Sequence, residues 1–530
     1  GGTTDARLFA IVTTQPSKPG RVYRLPTERD MAATHAAAQE LERRRTAHAG
    51  QLSLVPDEPL DVRGIRHTWA MIYGFDQWGD VYTARQALTL TTLARLVQEA
   101  GAKIAEAQKH GNSGLSVAIQ TVLGLAVSRF SDICNSLCIW EAKRTQVRHV
   151  FTRQALPMVW DFAEPHVFAD AAGNYSVTLS TMIRVLKNLT VVNNEGRIVQ
   201  TTVTSHPLPN DAVDALITDP PYYDSVPYSY LSDFFYVWLR RSIGQNHPNL
   251  LEHLQVPKDE EIIVDRAHSL SDSTKDEQFY ELNLTRAFAE CGRITRPNGI
   301  GTVVFASKTT ASWEAFLQAI IDANWVITAS WPIDTELANR LAALDQARLG
   351  SSIHLVCRPR ENVNGAMDIT IGDWREVQQE LPIRIHAWLP RLAQEGVVGA
   401  DALFACLGPA LEIFSRYSRV ERANGEAVTL GEYLEQIWAA ISKEALTMIF
   451  AGADTTGFEE DARLTAVWLW TLSAGAANGD DKEAVSSGYM LEYDAARKIA
   501  QGLGVHLERL PNLVAIKAAD NADFLTVAGA

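Results

Sequence analysis

The chain is predicted to be an α/β protein: a largely parallel sheet with helices on its faces, set between two helical regions. Three observations carry this. From about residue 156 to 362, short apolar runs alternate with helix-length periodic segments, the pattern of βαβ units. Before that stretch, long segments keep their apolar residues at helical spacing. After it, helical segments dominate and Trp438, Trp468 and Trp470 point to a packed helical core. The expected organisation is a mixed, mainly helical region over 1–155, an α/β domain over 156–362 and a helical domain over 363–530.

Taken in order, residues 8–14, LFAIVTT, read as a short strand. Thr27-Glu28-Arg29-Asp30 follows Pro26 as a capping box with Asp in the acidic position, opening an Ala-rich, charged helix. Residues 50–80 read as an irregular connection. A second helix runs from about Thr83 to His110, with Leu90, Leu93, Val97 and Ile104 on one face, and Gly111-Asn112-Ser113-Gly114 ends it. A third covers about 116–140. In the α/β region, strands are expected at 197–204, 213–218, 299–307, 325–333 and 351–359, with helices at 275–293 and 313–324 and another before 351. Pro297-Asn298-Gly299 reads as the turn into the third strand. The last two strands form a candidate antiparallel edge. Thr429-Leu430-Gly431-Glu432 is a second capping box, and Asn478-Gly479-Asp480-Asp481 marks a loop.

The composition is that of an ordinary globular chain, 46% hydrophobic and 21% charged, long enough for two or three domains. No window approaches 18 consecutive apolar residues, so no membrane span is expected. The first residues lack the basic and apolar regions of a signal peptide, and the first residue is not Met, as in a processed, tagged or partial chain. The five cysteines are scattered and no Cys-x-x-Cys occurs, which argues against a zinc ribbon and fits buried thiols in a cytoplasmic protein. Cys134 and Cys138 alone are close, at i,i+4, and read as core rather than metal ligands. A net charge of −15 argues against non-specific coating of nucleic acid but leaves room for a local basic surface. Lys143, Arg144, Arg148 and Arg153 are the candidate, four cations with no acid between them; the alternative is a solvated helix face.

The candidate catalytic residues are Asp219-Pro220-Pro221-Tyr222, placed directly after the apolar run Ala215-Leu216-Ile217, which reads as a buried strand. Ligands of open α/β sheets bind beyond the carboxyl ends of strands. There an acid oxygen and a proline carbonyl can accept hydrogen bonds from an exocyclic amine, orienting its lone pair for alkylation. The prolines fix φ and bring no competing N–H, and the Tyr222 face can stack on a planar ring. Tyr223 and Tyr228 lie close enough in sequence to line a base pocket. The plainer alternative is a strand-ending turn.

At these residues the chain resembles the large prokaryotic adenine-specific DNA methylases that carry an uncharacterised N-terminal domain and often a zinc ribbon. The resemblance runs through most of the chain. It rests on WGDVYTARQAL (78–88), RQALPMVWDFAE (153–164), ITDPPYYDSVPYSYLSDFFYVWLRR (217–241) and SWPIDTE (330–336). It implies a Rossmann-like methyltransferase sheet, S-adenosylmethionine as cofactor, and DNA bearing a flipped adenine as substrate. It assigns amine binding to Asp219 and Pro220 and stacking to Tyr222. It also implies a glycine-rich cofactor loop, which in such enzymes lies upstream and would come from an upstream segment or a partner subunit. Within this chain, Phe450–Gly457 only superficially matches such a loop. Tyr82 and Thr83 are a weak candidate cofactor element: Thr83 would cap a helix whose start could receive a carboxylate. Rival readings are a methyltransferase for another amine and a non-catalytic nucleic-acid-binding subunit of a defence or modification complex.

Overall fold

The computed structural model describes residues 2–492 except 16–17, 65–67, 108–112, 170, 172, 190–195, 271–273, 306–309, 335–350, 362–365, 396, 398, 451–457 and 474–489. Beyond 492 it describes 496, 500, 503, 505, 507, 510, 514–517 and 521–524. In chain order the elements begin β1 (Ile11–Gln15), β2 (Lys18–Arg24), α1 (Glu28–Ala47), α2 (Ala84–Ala107), α3 (Ser113–Ser131), β3 (Trp140–Glu141), β4 (Gln146–Val147) and α4 (Tyr175–Leu189). There follow β5 (Val213–Thr218), α5 (Tyr228–Ile243), α6 (Pro248–Leu251), β6 (Asp265–Ser269), β7 (Thr274–Lys275), α7 (Glu277–Ile294), β8 (Thr295–Phe305), α8 (Thr310–Asp322), β9 (Trp325–Asp334) and β10 (Ser351–Pro359). The carboxyl-terminal part holds β11 (Ile371–Asp373), α9 (Trp374–Gln394), α10 (Gly399–Ser415), β12 (Arg419–Glu421), α11 (Leu430–Ile449), α12 (Glu460–Ser473), β13 (Met490–Glu492), β14 (Val514–Lys517) and β15 (Asn521–Phe524). The fold is mixed α/β with a mixed sheet.

The chain divides into two compact units that interleave in sequence. The first comprises 1–200, 226–261 and 265–274; the second comprises 201–225, 262–264 and 275–530. This cuts across the three consecutive segments expected. The α/β sheet and the helices after 363 share one core, in which Phe316, Ile327 and Leu355 meet Leu381, Leu411 and Ile437.

In the first unit, α1 starts as expected: Thr27 accepts from the Asp30 backbone and Asp30 accepts from the Thr27 N–H. Arg24 also binds Asp30, and these contacts hold its carboxyl well below the usual range. Helices α2, α3 and α5 pack together around Leu90, Val97, Val127, Phe130, Phe234 and Trp238. Within α3, Gly114–Ser131 has a mean hydropathy of 1.3 and is long and apolar enough to cross a membrane. It lacks a run of purely apolar residues, so its composition passes where a search for such a run does not. It serves here as a core helix, with Ala126, Val127 and Phe130 buried. The helix stops at Ser131, so Cys134 and Cys138 sit in the turns after it, both buried; Cys138 donates its S–H to the Ile133 carbonyl.

Two further readings are corrected. The basic run after residue 142 is no helix. Trp140–Glu141 and Gln146–Val147 pair as an antiparallel hairpin whose turn places Thr145 at φ +51°. Segment 197–204 forms no strand, and Ile198 is almost fully exposed. The helix before it, α4, has no buried residue. β-branched residues supply strand propensity, but propensity without a partner strand does not make a sheet.

In the second unit the main sheet has the order β5-β8-β10-β9. β5 runs parallel to β8, while β10 runs antiparallel to both β8 and β9. Three parallel strands therefore share the sheet with one antiparallel strand inserted before the last. The Pro297-Asn298-Gly299 turn lies inside β8. Val213 pairs with Thr295 and Ala215 with Ile300, so β8 spends extra residues there and the turn becomes a bulge. The expected helix before 351, the loop at 478–481 and the end of the SWPIDTE stretch lie outside the described residues. Thr429 and Glu432 form their capping box at the start of α11.

Helix α10 approaches β9 closely through Gly408. A Cβ there would lie 2.2 Å from the backbone of Ala329 and Ser330. The Gly408 N–H donates to Ser330 Oγ at 2.7 Å, and that hydroxyl donates to the Phe404 carbonyl. Gly408→Ala should therefore destabilise the protein by about 1–3 kcal/mol despite Ala's better helix propensity, because the backbones must part. Urea unfolding measures this; a neutral or stabilising result would mean that α10 does not pack this closely.

Candidate active site at the end of an edge strand

β5 delivers the Asp219 turn from the edge of the sheet. Among the described residues no strand pairs with its outer side, and Ile217 is 79% exposed. The expectation of a buried strand is thus corrected: three consecutive apolar residues signal a strand, and they do not say whether both faces are covered. The register with β8 sets Thr218 opposite Val303, so the carboxyl ends of the two parallel strands lie side by side.

Beyond Thr218 the chain turns through a short network. The Tyr222 hydroxyl donates to Asp219 Oδ1 at 2.7 Å. Its ring packs edge-to-face on Phe305, the last residue of β8, with centroids 5.4 Å apart. Phe305 stacks in turn on Phe316 of α8. Tyr280 of α7 donates its hydroxyl to the Pro221 carbonyl at 3.1 Å and packs edge-to-face on Tyr223. Tyr223 holds φ at +45°, a conformation rare for a residue with a side chain, and the Val264 N–H fixes its carbonyl at 3.0 Å. Burial raises the Tyr280 phenol to about 12, so it stays a donor through the neutral range.

Asp219 is exposed while Pro220, Pro221, Tyr222 and Tyr223 are half-buried. No hydrogen bond among the described residues reaches Asp219 Oδ2 or the Pro220 carbonyl. The turn can therefore offer two acceptors to a donor from outside, with one carboxylate oxygen already oriented by Tyr222. Sequence reasoning missed Tyr280 and Phe305. Nothing local marks them, since their roles come from α7 and β8 packing beside the turn.

The other candidates belong to the first unit. Tyr228 opens α5 with its side chain 48% exposed. Lys143 and Arg144 sit in the exposed hairpin turn, with Glu141 3.8 Å from Arg144. Arg148 and Arg153 are also exposed. Of Arg240 and Arg241, in the last turn of α5, Arg241 is buried and Arg240 nearly so, and both bind Glu58, at 2.9 and 2.8 Å, so they are structural ion-pair partners. Tyr82 is buried, and its hydroxyl accepts from Trp238 Nε1 at 2.8 Å. Thr83 caps α2 reciprocally with Gln86 and donates to Glu164, whose carboxylate Arg85 also binds. The helix start proposed for a cofactor carboxylate thus already holds a carboxylate of the protein. The Phe450–Gly457 loop lies outside the described residues from 451 onward.

One polar cluster in this unit has no sequence motif. Arg63 binds Asp61 and donates from Nη1 to His268 Nδ1 at 2.8 Å. That makes Nδ1 the acceptor and assigns the ring proton to Nε2, which donates to Asp259 Oδ1 at 2.6 Å. The Tyr230 hydroxyl donates to Asp265 at 2.9 Å.

No family model matches the chain, and neither a curated protein nor a solved structure shows significant similarity to it.

Tyr280→Phe should cost about 1 kcal/mol of stability by leaving the Pro221 carbonyl without its donor. It should also raise amide exchange at Val264 and Ser225, which hydrogen-bond into the turn. Unaltered exchange at both amides would show that Tyr280 does not hold the turn.

Proposed function

We propose that this chain carries the amine-binding half of a DNA methyltransferase specific for the exocyclic amino group of adenine. The observation that carries the reading is Asp219. Its carboxylate stands exposed beyond the carboxyl end of a parallel strand, oriented by Tyr222, beside the Pro220 carbonyl. In this reading Asp219 Oδ2 and the Pro220 carbonyl accept the two amine hydrogens, and Tyr222 with Tyr223 bounds the base. The adenine would leave the duplex to reach them. Positioning supplies most of the effect, with the nitrogen lone pair directed away from the two acceptors.

The sheet order supports the reading. Three parallel strands with an antiparallel strand inserted before the last make up the half of a Rossmann-like methyltransferase sheet that carries the amine-binding turn. The open side of β5 is where the other half would add its strands.

The described residues do not form a place for S-adenosylmethionine. Glu164 closes the helix start at Thr83, and no glycine-rich loop faces the Asp219 turn among the described residues. The reading therefore assigns the cofactor loop to an upstream segment or a partner subunit that pairs with the β5 edge. Glu164 equally favours the second reading, a nucleic-acid-binding subunit without catalysis. A cytoplasmic location belongs to either proposal.

Two measurements test the first reading. With the partner segment present, Asp219→Ala should lower methyl incorporation into adenine by about 100-fold or more, as for removal of a positioned electrostatic group. Its stability should change by less than about 0.5 kcal/mol, because the side chain is exposed. Full activity in the variant would remove Asp219 from the chemistry. Residues 1–530 alone should bind S-adenosylmethionine weakly or not at all in calorimetry; tight binding would place the cofactor loop within the chain.

A further inference from the structure

The first unit carries a second feature that the amine-binding turn does not use. The β1–β2 ribbon pairs Val12 with Tyr23 and Thr14 with Arg21 and then loses register at Gln15. A two-stranded ribbon is marginal on its own. This one is held against the β3–β4 hairpin, more than 100 residues away in sequence. Arg21 Nε donates to the Thr145 carbonyl at 3.2 Å, and Tyr23 packs edge-to-face on Trp140 with centroids 6.1 Å apart.

The result is a concentration of positive charge in an acidic chain. Residues 1–25 contain Arg7, Lys18, Arg21 and Arg24 against the single acid Asp5. Residues 142–153 contain four cations and no acid. Three nearby acids are engaged: Arg24 is tied to Asp30, Glu141 lies near Arg144, and Asp132 meets His149 at 3.0 Å. At physiological ionic strength charges more than about 8 Å away are largely screened, so the net charge of −15 does not by itself set the local potential. The ribbon also exposes Val22, Tyr23 and Leu25, the last two at 56% and 75%, which no core packing accounts for.

We propose that the β1–β2 ribbon and the β3–β4 turn form one docking surface for duplex DNA. Arg21, Lys143, Arg144 and Arg148 would contact phosphates, and the ribbon would lie along a groove. Charge complementarity selects the occupant, and a two-stranded ribbon has the width that the major groove admits. Arg21 then has two roles, joining the two hairpins and presenting its guanidinium beside the exposed cations of the turn. The proposal rests on the reading that the chain acts on DNA and names the surface that would hold it.

The test is fluorescence anisotropy of the full chain with a short labelled duplex, titrated across salt concentration. Removing one phosphate-binding cation should flatten the log–log slope by about 0.9. Lys143→Ala with Arg148→Ala, both exposed and outside the hairpin-joining interactions, should flatten it by up to about 1.8. Arg21→Ala should flatten it by about 0.9 and weaken binding to all sequences alike. Duplex binding with an unchanged slope in these variants would overturn the docking surface and leave the DNA reading standing. No duplex binding by the parent chain would overturn the DNA reading itself. Preference for an acidic protein surface or for single strands over duplex would overturn the choice of occupant.

Discussion

The candidate site depends on one pairing, that of β5 with β8 in parallel. It brings the carboxyl ends of two strands together, so that the Asp219 turn leaves one strand beside Phe305 at the end of the other. Phe305 is fully buried against Phe316 and Trp313 and gives Tyr222 a rigid wall. From α7, Tyr280 reaches the Pro221 carbonyl and the Tyr223 ring. The strained φ of Tyr223 is sustained by these neighbours, as sparsely populated backbone conformations at functional sites require. A free turn of the same sequence would relax and lose the orientation of the Asp219 carboxylate.

Buried charge is handled differently in the first unit. Glu58 is almost fully buried and meets both Arg240 and Arg241, and Lys258 meets Asp233 at 2.8 Å in similar burial. Each such group would be costly without its partner, because desolvation of a single charge is not repaid. These pairs are therefore commitments of the fold. They explain how the Arg240-Arg241 dipeptide can be held within the fold, while the basic hairpin turn at Lys143 and Arg144 remains open to solvent. Position relative to the core decides which cations a ligand can meet, and that position is set by helix α5 burying its last turn.

Among the described residues the outer side of β5 has no partner strand. A long apolar edge invites pairing with further strands, and natural proteins cover or charge such edges. Here Asp214, which pairs with Arg296, is the one charged residue of the strand, and Ile217 stays exposed two residues before Asp219. In the proposed function this edge is the junction with the cofactor-binding half. The helix start at Thr83 fits the same proposal, since the Arg85 and Thr83 side chains are already satisfied by Glu164.

Much of the fold was legible in the amino-acid sequence. The strands at 213–218, 325–333 and 351–359 and the capping boxes at Thr27 and Thr429 follow from local rules of periodicity, capping and turn chemistry, while the antiparallel pairing of the last two strands was expected from the resemblance. The Asp219–Tyr222 turn was visible too, because its residue types are those of a strand-ending turn with an exposed acceptor. Local rules could not settle which strand would be an edge, that 197–204 would find no partner, or that the run after 142 would be a hairpin. Nor could they single out Tyr280 and Phe305, or separate buried Arg240 and Arg241 from exposed Lys143 and Arg144. Those outcomes depend on packing between residues far apart in sequence. A side chain's chemistry is written in its identity, but its partners and its exposure are set only when distant elements pack.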